Sequence, residues 1–112
     1  MKFSIIIPAR NEEKLIGLCL ESIKVPSAPY PDEVETIVCI NRCTDKTEEI
    51  ARSYDAKIVY DDSKNLAKIR NIAAKSATGD ILVTIDADSQ MSRNMLTEIE
   101  KALITGKYIG GE

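Results

Sequence analysis

The sequence predicts an α/β fold, a three-layer αβα sandwich around a mainly parallel, Rossmann-like sheet, built as one domain over residues 1–112. Three observations predict it. Short apolar runs of strand length alternate along the chain with longer segments whose apolar residues recur at helical spacing. The strand-like runs are nearly continuous in apolar side chains, as in strands covered on both faces. Parallel neighbours also need long crossovers, which the intervening helical segments supply.

Phe3 to Ile7 is the first such run, ended by Pro8. Asn11 can cap the helix that follows, and Glu12 and Glu13 favour its positive end. Leu15, Ile16, Cys19, Leu20 and Ile23 then share one face of a helix about three turns long. Val25 to Asp32 carries Pro26, Pro29 and Pro31, which disfavour both a helix and a central strand, so it reads as a loop. Val34 to Ile40 is a second strand. Asp45, with Glu48 three residues later, has the form of a capping box before a helix buried through Ile50, Ala51 and Tyr54. Lys57 to Tyr60 is a third strand. Leu66, Ile69, Ala73 and Ala77 mark a third helix, with Gly79 where it should end. Ile81, Leu82, Val83 and Ile85 read as the most buried strand, and Met95, Leu96, Ile99 and Leu103 as a last helix capped by Ser92. The segment Tyr108-Ile109-Gly110-Gly111-Glu112 has the form of a further strand that stops almost at once, so the chain is expected to be cut short within its fold.

The balance of 15 basic and 18 acidic residues, net charge -3, argues against a nucleic-acid partner while leaving room for a local phosphate site. Cys19, Cys39 and Cys43 form an odd set without a C-x-x-C pair, and the chain has no histidine. A soft-metal site and a histidine-activated nucleophile are thereby excluded, and a reduced, cytoplasmic setting, at most peripheral to a membrane, is expected. The opening apolar run is too short for a signal peptide or a membrane span.

In open parallel sheets, ligands gather beyond the carboxyl ends of the strands. Pro8-Ala9-Arg10-Asn11-Glu12, Asn41-Arg42-Cys43-Thr44-Asp45 and Asp86-Ala87-Asp88 follow the first, second and fourth strands and meet at that edge. Side chains at i and i+2 of extended backbone point the same way, so Asp86 and Asp88 face one spot. At about 6 Å apart two carboxylates repel by roughly 3 kcal/mol at an effective dielectric near 20, a cost that a divalent cation reverses. Hard oxygen donors of this kind suit Mg2+ or Mn2+, which keep waters and phosphates as further ligands. The bland alternative is that Asp88 or Ser89 only shapes a turn. Placement after a buried strand favours the metal-site reading, because packing gives a loop aspartate no role there.

These motifs resemble family 2 glycosyltransferases. Ser4-Ile5-Ile6-Ile7-Pro8-Ala9-Arg10-Asn11-Glu12-Glu13 is similar to that family's first strand and Pro-x-x-Asn-Glu loop. Asn41 to Thr47 is similar to its Thr-Asp-x-Thr segment, and Leu66 to Asp88 to its Ala-Arg-Asn helix, Ala-Thr-Gly-Asp turn and Asp-x-Asp strand. The resemblance implies the N-terminal half of a nucleotide-diphospho-sugar transferase (GT-A-type) fold. It places Pro8, Ala9, Arg10, Glu12, Asn41, Arg70 and Asp86 against a UDP- or GDP-linked sugar, with Asp86 and Asp88 on Mn2+ or Mg2+. Asn41 stands where the family offers an aspartate to the base, and its amide can both donate and accept. For Arg10 a solvated surface cation, for Arg70 an exposed helix charge, and for Asn11 and Asp45 a capping role are the structural alternatives.

The implied reaction is transfer of the sugar to a hydroxyl of a glycan, lipid or small-molecule acceptor, with inversion. The family's general base is expected beyond this chain, so no catalytic residue is identified within it. A non-catalytic nucleotide-sugar-binding module is the alternative, with self-association through an exposed sheet edge. A nucleotidyltransferase is a minor one, because Pro8-Ala9-Arg10-Asn11 lacks the glycines that let backbone wrap phosphates.

Overall fold

The computed structural model describes residues 2–62 and 64–104, so the segment expected as a further strand at Tyr108 and Ile109 lies outside the described residues. Four strands, β1 (Phe3–Ala9), β2 (Val34–Ile40), β3 (Lys57–Tyr60) and β4 (Ile81–Thr84), form one sheet in the order β3-β2-β1-β4, with every pairing parallel. The helices are α1 (Ile16–Ser22), α2 (Lys24–Ser27), α3 (Thr47–Ser53), α4 (Leu66–Lys75) and α5 (Met95–Ile104).

β1 is the spine. Its alternating side chains divide between two cores: Phe3, Ile5, Ile7 and Ala9 join α1 and Leu96 on one face, while Ile6 joins Ile37, Cys39, Ile69 and Ala73 under α4 on the other. The three-layer sandwich follows from a strand that is apolar on both sides. Burying each large aliphatic side chain contributes roughly 1.5–3 kcal/mol, which makes β1 the most costly strand to disturb.

Several local expectations are corrected. β1 continues through Pro8 to Ala9. The odd residues of β1 bond towards β2, as in Asn41 N–H to Ala9 O, and the even ones towards β4, as in Ile85 N–H to Ile6 O. The donor that Pro8 lacks would therefore face β4, whose paired ladder reaches only Ile6 on β1, so nothing is lost there. Lys24–Ser27 is a turn of helix with Pro26 buried inside it. Pro26 cannot donate to the Ser22 carbonyl, and the break between α1 and α2 at Ile23 is where its ring forbids a continuous helix.

β4 is an edge strand among the described residues, and Leu82 is 51% exposed, so β1 rather than β4 is the most buried strand. Sheet order, which apolar content alone does not encode, decides this. Gly79 does not end α4, which closes at Ser76 three residues earlier. It passes so close to the start of β1 that an added Cβ would lie 2.9 Å from Lys2 O and 2.5 Å from Ser4 Oγ. The Gly79 N–H donates to Ser4 Oγ at 2.8 Å, while Ser4 Oγ and the Thr78 N–H donate to Glu35.

Candidate functional site

The sheet order places β2 and β3 on one side of β1 and β4 on the other, so the order of strand addition reverses between β1 and β4 while all strands stay parallel. Crevices at such switch points, beyond the carboxyl ends of the strands, are where open α/β sheets bind ligands. An open cleft of roughly 290 Å³ lies there, lined by Pro8, Ala9, Arg10, Glu12, Asn41, Ile69, Asp86, Ala87 and Asp88. Both carboxylates and every residue expected against the nucleotide, except Arg70, thus share one cavity wall. Arg70 follows Ile69 on α4 but does not line the cleft, and its Nε is buried without a hydrogen-bond partner.

The Asp86–Met91 loop is shaped from beneath. Ala87 is 3% exposed and Met91 5%, both in the core under the sheet, whereas Asp86, Asp88, Ser89 and Gln90 are exposed. Burial of Ala87 leaves Asp86 and Asp88 exposed on either side of it, but Ala87 and Asp88 stand in a turn rather than in extended backbone, so the alternation expected of the triplet is corrected here. The Ser89 N–H donates to Asp86 O at 3.0 Å and closes the turn. Helix α1 holds both ends of the loop: Cys19 Sγ lies 3.6 Å from Asp86 O, and Ser22 Oγ accepts the Met91 N–H at 2.8 Å.

Two further loops are tied into one rim. Asn11 does not cap α1, which begins at Ile16 without a side-chain cap. Its backbone has φ 51°, a left-handed conformation that asparagine tolerates, and its Oδ1 accepts the Thr44 N–H at 2.8 Å across the rim. Thr47 Oγ1 accepts the Glu12 N–H at 2.8 Å, and Asp45 Oδ2 accepts the Glu13 N–H at 3.1 Å. Asp45 Oδ1 accepts the Thr47 N–H at 3.0 Å in a local turn before α3, but the N-cap position of that helix is Lys46, without a side-chain cap, and Glu48 turns away to Arg52 and Tyr60, so the expected capping box does not form. Desolvation pushes the Asp45 carboxyl up, and the hydrogen bonds from Thr47 and Glu13 outweigh it and hold it below its ordinary value.

Asn41 is 3% exposed, its Nδ2 donates to Asp61 O at 2.6 Å, and its Oδ1 accepts from Arg42 Nε at 3.2 Å. The amide is thus locked in one orientation at the cleft wall. Arg10 is exposed and makes no hydrogen bond or ion pair among the described residues, which leaves its guanidinium to an incoming anion. Burial, and then the charges of Asp88 and Asp86, push the Cys19 thiol up to about 11, and burial beside Asp61 and Cys43 does the same for Cys39. Both stay protonated at neutral pH, as expected of core side chains rather than nucleophiles.

Among the described residues no cluster of three or more His, Cys, Asp or Glu side chains could by itself hold a metal ion. Two carboxylates on one wall fit Mg2+ or Mn2+, whose remaining positions go to phosphates and water, and do not fit an all-protein cage. Ile69 and Ala87 line the cleft, although the sequence assigned neither a site role. A small apolar residue between two acids was the available signal for Ala87, whereas Ile69 looked like an ordinary core residue of a helical stripe.

The chain matches the family model described as "Glycosyl transferase family 2" over residues 4–111. It is 32% identical over 104 residues to the poly(ribitol-phosphate) beta-N-acetylglucosaminyltransferase TarS of Staphylococcus aureus, covering 88% of this chain and 18% of that protein. It is 36% identical over 102 residues to the 4,4'-diaponeurosporenoate glycosyltransferase of Staphylococcus haemolyticus, covering 85% and 26%. Among solved structures, S. aureus TarS in complex with UDP-GlcNAc superposes with a TM-score of 0.84 at 30% identity, over 94% of this chain and 32% of that one. The mannosyltransferase PcManGT from Pyrobaculum calidifontis, in complex with GDP-Man and Mn2+, gives 0.82 at 29% identity, over 91% and 32%. The fold is therefore that of the GT-A nucleotide-sugar transferases, and the chain spans 18–26% of the length of these curated relatives.

Proposed function

The chain belongs to glycosyl transferase family 2, and from that premise we propose that its cleft binds a UDP- or GDP-linked sugar together with Mn2+ or Mg2+, for transfer of the sugar to an acceptor hydroxyl. The observation that carries this reading is the gathering of Pro8, Ala9, Arg10, Glu12, Asn41, Asp86 and Asp88 on one cavity at the switch point. Similar structures that hold UDP-GlcNAc, or GDP-Man with Mn2+, support the ligand class.

In this reading Asp86 and Asp88 hold the metal, which supplies positive charge against the diphosphate leaving group when bound. The exposed Arg10 guanidinium faces the same phosphates with paired donors. Asn41, locked by Asp61 and Arg42, presents a fixed polar edge in the cleft wall to the base, and Ile69 gives it an apolar surface. General-base duty is assigned to none of these residues. The edge position of β4 and its exposed Leu82 support pairing with a second copy of the chain, with concentration-dependent sedimentation as the check.

Calorimetric titration with UDP, GDP and their sugar conjugates, with and without Mn2+, tests the cleft. Metal-enhanced binding that falls at least about tenfold, or 1.4 kcal/mol, in Asp86→Ala and Asp88→Ala is the expected result. Binding that ignores both the metal and these substitutions overturns the reading.

A further inference from the structure

Helix α1 grips the acidic loop at both ends through two residues on one face, Cys19 and Ser22, spaced i and i+3. Cys19 is fully buried and its thiol lies 3.6 Å from the backbone carbonyl of Asp86. Ser22 Oγ donates to Cys19 O at 2.6 Å and accepts the Met91 N–H at 2.8 Å, so one hydroxyl joins the helix backbone to the far end of the loop. Between these grips only Ala87 and Met91 are buried, while Asp86, Asp88, Ser89 and Gln90 stand in solvent. Two exposed carboxylates on a short loop repel each other and, without support, would swing apart before any cation arrived.

We propose that Cys19 and Ser22 are positioning residues that hold the Asp86–Met91 loop in the shape that receives a metal–diphosphate ligand. The inference rests on the reading of the cleft given above. Neither side chain touches ligand. Cys19 fixes the peptide that follows Asp86, Ser22 fixes the exit at Met91, and the entropy of ordering the loop is met during folding rather than on binding.

The test compares wild type with Cys19→Ala, Cys19→Ser and Ser22→Ala, measuring UDP affinity with and without Mn2+ and thermal stability in parallel. Cys19→Ala and Ser22→Ala are expected to weaken Mn2+-dependent UDP binding about tenfold while leaving metal-free UDP binding unchanged. Cys19→Ser, which keeps a donor in place, is expected to restore most of the loss. Folded variants that bind as wild type does, or that lose metal-free and metal-dependent affinity in the same proportion, overturn the proposal, the latter because it signals a merely structural role.

Amide hydrogen exchange covers the case of a variant that does not fold, because it is read on wild type. The Met91 amide should exchange at least about tenfold more slowly than the exposed Gln90 amide, and equal rates overturn the grip. If wild type binds UDP neither with nor without Mn2+, the reading of the cleft fails, and the exchange comparison still decides whether α1 grips the loop.

Discussion

Asn11 carries a left-handed backbone at φ 51° and accepts the Thr44 N–H with its side chain, so one residue both turns the first loop and ties it to the second. Asn11→Ala removes the bond and leaves a residue that resists this conformation. A loss of about 1–2 kcal/mol is expected from urea denaturation, against under 0.5 kcal/mol for Lys14→Ala on the exposed neighbouring surface. Glu35 gives a pH signature at the same scale. Burial alone would raise its carboxyl, but hydrogen bonds from Ser4 and Thr78, with Lys2 nearby, bring it below the usual carboxylate value. A lowered folded-state value means that its contribution is complete above the unfolded-state pKa of about 4.3 and is lost as pH falls through the folded value. Denaturation midpoints followed from pH 7 to 3 should therefore decline in acid, and Glu35→Gln should flatten that decline.

Among the elements, the strands and their order along the chain were legible because apolar runs with polar ends encode burial directly. What lay hidden depends on partners distant in sequence. Asn11 sits where a helix cap would sit, and only the neighbouring loop reveals that its acceptor goes to Thr44. β4 is as apolar as a central strand, and its exposure follows from sheet order alone. Gly79 fits a helix end by sequence, whereas contact with the first strand is what requires it. Gly79→Ala would press a methyl group against the Lys2 and Phe3 backbone, with an expected cost of about 1–3 kcal/mol in thermal or urea unfolding. Asn65, whose side chain accepts the Ala67 and Lys68 N–H groups, caps α4, and Asn65→Ala should cost about 1 kcal/mol by the same measurements.

For the whole molecule, the cleft exists because the strand order reverses at β1. β1 carries the first loop, β2 the second, and β4 returns on the opposite side to bring Asp86 and Asp88 within the same cleft. Three loops far apart in sequence were legible as neighbours at one cleft because each follows a parallel strand. That Arg70 does not line this cleft was not legible, since helical spacing does not say which way a side chain beside Ile69 turns. A second cleft of roughly 250 Å³, between α2 and the start of β2 and lined by Ser27, Tyr30 and Thr36 among others, serves as an internal control. Paramagnetic broadening by Mn2+ in the presence of UDP tests the location of the site most directly. Loss of the backbone amide signals of Arg10 and of Ala87 to Ser89, with those of Ser27 and Thr36 preserved, is the predicted result; broadening at Ser27 and Thr36, or at neither cleft, would contradict it.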